Sequence, residues 1–323
     1  MDPIEAATLD QIQAAAKRIA GAATRTPLVR LHAESPYAEI HLKLENLQPI
    51  GAFKIRGAMS AISAAAPESL KHGVVTASAG NMAQGVAWVA RLEGIPCTVV
   101  VPETAPAAKI AAIERLGGRV VRVPFDAWWQ AMVERRHPGV EGFFVHPVSD
   151  PEVVAGNGTI GLELLEDLPD VDVVLVPFGG GGLSGGIASA MRAAGSMARV
   201  YACEVATAAP LSASLAAGRP ATVDYVPSFV DGIGAKGLLA EMWPLVSRIL
   251  AGSIVVSPEE AAEAVRLLVT RVHVVAEGAG AVPAAAALAG RIPAPVAKKV
   301  VCIVSGGNID PRKLARILEG ETP

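Results

Sequence analysis

Short apolar runs alternate with helical stretches along most of this 323-residue chain, and that rhythm constrains the fold more than any other feature. Strand candidates lie at Val74-Val75, at residues 97–101 and at Arg119–Val123. Helical stretches at 82–92 and 107–116 separate them, each ended by glycine. A second series follows at 171–176, 199–204 and 299–304, with longer helical segments between. Strands alternating with helices of about ten to fifteen residues specify βαβ units, and so a parallel sheet covered on both faces. Such doubly wound sheets take ligands outside the carboxyl ends of their strands. The glycine-rich and polar clusters of this chain follow its strand candidates.

Composition narrows the function classes. The length suits one large or two ordinary domains. Hydrophobic residues make up 51% and aromatics only 4%, so the core must be built from Ala, Val, Leu and Ile. A net charge of −3 without a basic stripe argues against nucleic-acid binding by phosphate neutralisation. No secretory leader pattern opens the chain, and the alanine-rich stretch 278–290, interrupted by Pro283, is too short to span a bilayer. Cys97, Cys203 and Cys302 stand far apart, as expected of small core residues in a reducing compartment, which points to the cytoplasm. Thr8-x-x-Gln11 resembles a capping box ahead of Leu9, Ile12, Ala16 and Ile19 at helical spacing. Residues 39–45 alternate Ile40, Leu42 and Leu44 as a half-buried strand would. No solenoid repeat or long linker is present, and no room is expected for an appended regulatory domain before Pro323.

Four clusters carry chemistry. Lys54, in Phe53-Lys54-Ile55-Arg56-Gly57-Ala58, reads as a surface lysine at a helix start or as an activated amine. The helix dipole and the charge of Arg56 would both lower its pKa, as a nucleophilic amine requires. Ser78-Ala79-Gly80-Asn81 joins a strand to a helix and serves either as a plain N-cap or as an anion cradle. Gly179, Gly180, Gly181 and Gly182 stand between a strand and a helix beginning near Leu183. Consecutive glycines carry a large entropic cost, and their use before a helix N-terminus is close approach to a phosphate. Ser305-Gly306-Gly307-Asn308 ends the last strand, where a serine hydroxyl can meet a heteroaromatic nitrogen or begin an ordinary turn. Glu277 is a pocket carboxylate or a first-turn helix charge. An amine, a phosphate cradle and a ring-nitrogen partner are the three grips needed on pyridoxal 5'-phosphate (PLP). No metal-ligand spacing and no Gly-x-Ser-x-Gly elbow after a strand accompanies them.

Together these motifs resemble the fold-type II PLP enzymes, specifically the serine/threonine dehydratase and serine racemase family. The likeness runs from Thr26-Pro27-Leu28 to the C-terminus. It is carried by Lys43-Leu44-Glu45-Asn46-Leu47-Gln48, the Lys54 motif, Ser78 to Asn81, Gly179 to Leu183, Asp231-Gly232, Glu277-Gly278-Ala279-Gly280 and Ser305 to Asn308. It implies an α/β fold of two doubly wound parallel-sheet domains, tryptophan synthase β-like, with the cofactor in the interdomain cleft. Residues 1–49 and 148–323 would form the large domain, and 50–147 a small inserted one. Phe53, Lys54, Asn81, Gly179 to Gly182, Leu183 and Ser305 would hold PLP, with Lys54 carrying its aldehyde. Lys54, Ser78 and Ala79 would occupy the catalytic positions. Ser78, Gly80, Asn81, Met82, Gly232 and Glu277 would meet the amino-acid substrate. A homodimer is implied. A metal is not, because Pro210 stands where some members place an aspartate ligand downstream of Glu204. Other departures are Ala52 for a serine, Met82 for a histidine, and Ala79 for the second serine that racemases use as a base.

The resemblance implies β-elimination from a β-hydroxy-α-amino acid, giving a 2-oxo acid and ammonia. In that reaction Lys54, displaced by the substrate amine, removes the Cα proton, and the cofactor phosphate protonates the leaving hydroxyl. Serine racemisation, β-replacement and a non-enzymatic PLP sensor are the rival readings. L-Threonine and L-serine are the default substrates. Met82, Ala52 and Phe178 make the motifs more apolar than usual, which adds a bulkier substrate such as phenylserine to the expectations.

Overall fold

The computed structural model describes residues 2–37, 39–293 and 297–323. Two sheets organise them. The larger has six strands in the order β1 (Leu28–Leu31), β2 (Glu39–Lys43), β10 (Lys299–Ile303), β7 (Val173–Pro177), β8 (Arg199–Val205) and β9 (Gly252–Val256). Only β1 runs antiparallel to its neighbour. The smaller sheet is wholly parallel, in the order β5 (Arg119–Val123), β4 (Cys97–Pro102), β3 (Val74–Ala77) and β6 (Phe143–Phe144). The βαβ rhythm thus yields two parallel-sheet domains. The smaller sheet comes from one continuous stretch, whereas the larger joins strands from both sides of it.

Residue chemistry accounts for the central strands. β7 and β3 are buried at every position and read Val-Val-Leu-Val-Pro and Val-Val-Thr-Ala, as strands covered on both faces must. β2 keeps its half-buried alternation, with Ile40 and Leu42 inward. The Thr8–Gln11 capping box forms and starts the Leu9–Ile19 helix. Alanine supplies much of the large-domain core: seven of the eleven residues of the Gly278–Leu288 helix are alanine or valine, and nearly all of that helix is buried. All three cysteines are buried and free. Among the described residues, no helix is long and apolar enough to cross a membrane. The edge strands β1, β6 and β9 are not distinct in the sequence, because they are short and only partly buried.

Candidate active site at the junction of the two sheets

Lys54 opens the Lys54–Ala64 helix, directly after a bridge between Ala52 and Gly306 and a hydrogen bond from Phe53 N to Ser305 O (3.0 Å). These contacts tie the lysine to the end of β10. Its Nζ donates to Pro147 O at 2.7 Å and lies 5.1 Å from the centre of the Phe53 ring. Burial of the amine lowers its pKa to about 8, against a smaller opposing pull from Glu277. The expected direction is therefore right, but the expected cause is not. Arg56 faces away, into a buried network with Glu45 and Glu163, and desolvation rather than its charge activates Lys54.

The glycine loop is shaped by its neighbours. Any Cβ at Gly180 would come within 2.6 Å of Val148, and one at Gly182 within 2.9 Å of Val148 O. Gly181 has φ +95°, in the left-handed region, and a Cβ there would meet Val246 at 2.8 Å. The Gly182–Ala193 helix starts here without a side-chain cap, so its first amides are available to an anion. Leu183 is buried in that first turn.

The remaining positions form a chain of contacts around this centre. Gly179 packs on the Gly232–Ile233 backbone, and Gly232 in turn lies against the Glu277 carboxyl. Glu277 also fills the space that a side chain at Gly306 would need, with its Oε1 2.7 Å from that Cβ position. Asn81 Nδ2 donates to Glu277 Oε1 at 2.9 Å, while Asn81 Oδ1 accepts from Asn308 Nδ2 at 2.8 Å. Asn308 Nδ2 also donates to Ile50 O at 2.9 Å, which fixes which end of Asn81 faces Glu277. Burial, reinforced by Asp231, raises the Glu277 pKa to about 7. Ser305 is buried just after β10.

Ser78 accepts from Gly80 N at 3.2 Å, and Gly80 leads into the Asn81–Glu93 helix with open space where a Cβ would stand. Ala79 packs partly against the small-domain core. Met82 departs from expectation. Its side chain is 2% exposed and belongs to that same core, with Ile55, Val86 and Val101. Only its backbone remains at the helix start. Ala52 and Phe178 are likewise fully buried, Phe178 against Met242 and Leu245. The side chains of Met82 and Phe178 therefore belong to the packed cores of their domains. Glu204 accepts from Leu211 N and Ser212 N (both 2.8 Å) and from Ser253 Oγ (2.5 Å), so it caps the Pro210–Ala217 helix.

Sequence reasoning passes over the turn at 146–149. His146 and Pro147 carry no recognisable motif, yet Pro147 O holds Lys54 and Val148 backs the glycine loop.

A family model described as pyridoxal-phosphate dependent enzyme matches residues 19–306. This chain belongs to that family. It is 42% identical over 315 residues to an L-threonine ammonia-lyase of Thermotoga maritima, covering 96% of this chain and 78% of the relative. An L-threonine dehydratase of Staphylococcus aureus is 36% identical over 97% of this chain and 92% of its own length. Among solved structures, maize serine racemase superposes with a TM-score of 0.87 at 34% identity, covering 98% of both chains. A threonine deaminase from T.th. superposes at 0.85 and 35% identity, over 94% of this chain and 99% of that one. PLP is the cofactor of this family, and the residues present fit it. A half-buried amine of lowered pKa suits an aldehyde, a glycine-lined helix N-terminus suits a phosphate, and a buried hydroxyl at a strand end suits a ring nitrogen.

Proposed function

We propose that this protein is a PLP-dependent ammonia-lyase that eliminates the β-hydroxyl from L-threonine or L-serine, releasing a 2-oxo acid and ammonia. The observation that carries the reading is the Lys54 amine, held by Pro147 O beside the turn that backs the glycine loop and made less basic by burial. The named activities of the relatives at 36–42% identity support the reaction class. Bound PLP supplies the electron sink that makes the substrate Cα–H acidic. The chain's own residues do the rest. Gly179 to Leu183 bind the phosphate with backbone amides, and Asn81, oriented by Asn308, presents its amide to the ring substituents. The helix start from Ser78 to Met82 takes the α-carboxylate, with Gly80 leaving room for it. Lys54 Nζ, with its pKa near 8, accepts the Cα proton. The hydroxyl of Ser305 cannot hold a ring nitrogen protonated as a carboxylate would, which favours prompt loss of the β-hydroxyl.

Racemisation is the second reading, since racemases share the fold. It needs an acid–base group on each face of the substrate, and Ala79 offers none. The reading extends to a domain division at 49/50 and 147/148, supported by the separate origins of the two sheets, and to a cytoplasmic homodimer. Sedimentation of the purified protein would test the dimer. The function itself is tested by assaying 2-oxo acid release from threonine, serine and phenylserine, with chiral analysis of residual substrate. Threonine or serine should turn over fastest, with a borohydride-sensitive absorbance band in the protein. Accumulation of D-serine without 2-oxo acid would overturn the lyase reading.

A further inference from the structure

The turn at residues 146–149 touches the reacting amine and the phosphate cradle at once. It lies where the chain leaves β6 and enters the Pro151–Asp167 helix, so one short segment connects the two sheets. Pro147 O is the acceptor for Lys54 Nζ. The next residue, Val148, places its side chain under Gly180 and its carbonyl under Gly182. A shift of this turn would therefore move both grips.

The turn is held by a histidine. His146 is fully buried, and its Nδ1 accepts from Val148 N at 3.1 Å and from Ser149 N at 2.8 Å. A nitrogen that accepts two amide hydrogens carries no proton of its own, so geometry fixes the tautomer. Burial, with the nearby charges of Arg135 and Lys54, pushes the His146 pKa down to about 3, against a backbone hydrogen bond at Met132. The ring thus stays neutral while the neighbouring amine gains and loses protons. Ser149 anchors the far end: its hydroxyl donates to Glu241 Oε1 at 2.9 Å, and its carbonyl accepts from Arg135 Nη2. Glu241 belongs to the large domain and Arg135 to the small one, so the turn is fastened on both sides.

We infer that His146 is a positioning residue for the reacting centre, clamping the Pro147–Val148 turn so that Lys54 and the phosphate loop keep one fixed relation. His146 touches neither substrate nor cofactor. It acts through Pro147 O on the amine and through Val148 on the glycine amides. An acceptor at the Nδ1 position is the feature that matters, and asparagine can supply one whereas leucine cannot.

The inference rests on PLP binding at this site, and the experiment separates the two. Full-length wild type, His146→Leu, His146→Asn and Val148→Ala are titrated with PLP, following the visible band, and then assayed for kcat and KM. Absence of the band in wild type would overturn the PLP reading itself. With that band present, His146→Leu is expected to bind PLP at least about tenfold more weakly and to lose kcat more than KM. His146→Asn should recover PLP affinity to within about threefold of wild type. Val148→Ala keeps the clamp but removes the support beneath Gly180, and should weaken PLP about threefold or more. Unchanged PLP affinity and spectrum in a folded His146→Leu would overturn the clamp. If that variant does not fold, unchanged affinity in Val148→Ala, or no advantage of His146→Asn over Val148→Ala, overturns it instead.

Discussion

Lys54 and Arg56 are two residues apart on one helix, the first half-buried and the second fully buried, and their surroundings are opposite. Arg56 donates twice to Glu45 (both 2.8 Å) and twice to Glu163 (2.6 and 3.0 Å), and Lys43 Nζ joins at 2.6 Å from Glu163. Burial alone would make the guanidinium less basic, but the two carboxylates outweigh it and hold its pKa above the ordinary value. Among the described residues Lys54 has one carbonyl partner and no carboxylate in salt-bridge contact, and burial outweighs the pull of Glu277. The same helix turn therefore holds one saturated cation and one that gives up its proton near neutrality. Pairing makes a charge structural, and withholding the pair makes it reactive.

The largest expected effects break that contrast directly. Lys54→Ala should lose at least about a thousandfold in turnover, since on the proposed mechanism it removes the general base, while the fold survives. Arg56→Ala should do the reverse and cost stability of about 3–5 kcal/mol, because Glu45 is left buried without its partner. Chemical denaturation and turnover on both variants check the pair; a folded, inactive Arg56→Ala with unchanged stability would break the comparison. A sign follows for Lys54. Its folded pKa, near 8, lies below the unfolded value of 10.5, so the unfolded chain binds more protons between these values. Stability from this group therefore rises with pH across that window. Lys54→Met, without PLP, should be more stable than wild type at pH 7, and the gain should fade as pH approaches 10.5.

Ser305→Asp is expected to alter the reaction by a smaller factor. A carboxylate beside the ring nitrogen would deepen the electron sink and let Cα exchange outrun elimination. Measured in deuterium oxide, exchange relative to 2-oxo acid release should rise about tenfold, and the absorbance band should shift. No change in either would move Ser305 away from the ring nitrogen.

How much of this contrast is visible in the chain itself differs by position. The parallel sheets are legible because they rest on local spacing, whereas spacing leaves Lys54 open and only the family resemblance singles it out. The Val-rich strands must be covered, and four glycines before a helix admit few uses. Arg56 reads wrongly as a neighbour acting on Lys54, because its partners Glu45 and Glu163 lie 11 and 107 residues away. Met82 is ambiguous in the sequence for a related reason. A helix start offers both a backbone amide and a side chain, and only tertiary packing shows that the side chain turns into the core. His146 leaves no signal at all, since a histidine accepting backbone amides has no spacing rule. Local chemistry is readable, and long-range pairing is not.

Glu277 offers a milder test of the unpaired side of the comparison. Burial and Asp231 raise its pKa from 4.5 to about 7, so the folded chain binds the extra proton between those values. The stability it contributes is present below 4.5 and falls as pH rises towards 7. Glu277→Gln, which mimics the protonated form, should gain stability relative to wild type across that window, without PLP. A stability difference that stays flat with pH would show that Glu277 keeps an ordinary carboxylate pKa.

The smallest effect concerns an exposed ion pair near Glu277. Lys109 Nζ, from the small domain, meets Asp231 Oδ2 of the large domain at 3.1 Å, and both are well exposed. A pair of this kind contributes about 1 kcal/mol or less, so its loss should barely alter stability. Its two members nevertheless act on Glu277 with opposite signs, Asp231 raising its pKa and Lys109 lowering it. Asp231→Asn should therefore move the Glu277-linked titration to lower pH, and Lys109→Ala should move it to higher pH. Each shift should be less than about one unit, because one unit corresponds to about 1.36 kcal/mol. The difference between the variants is more decisive than either alone, since changes in overall packing would displace both in the same direction. Shifts of one sign in both would mean that the pair holds the two domains together without tuning the buried carboxyl behind it.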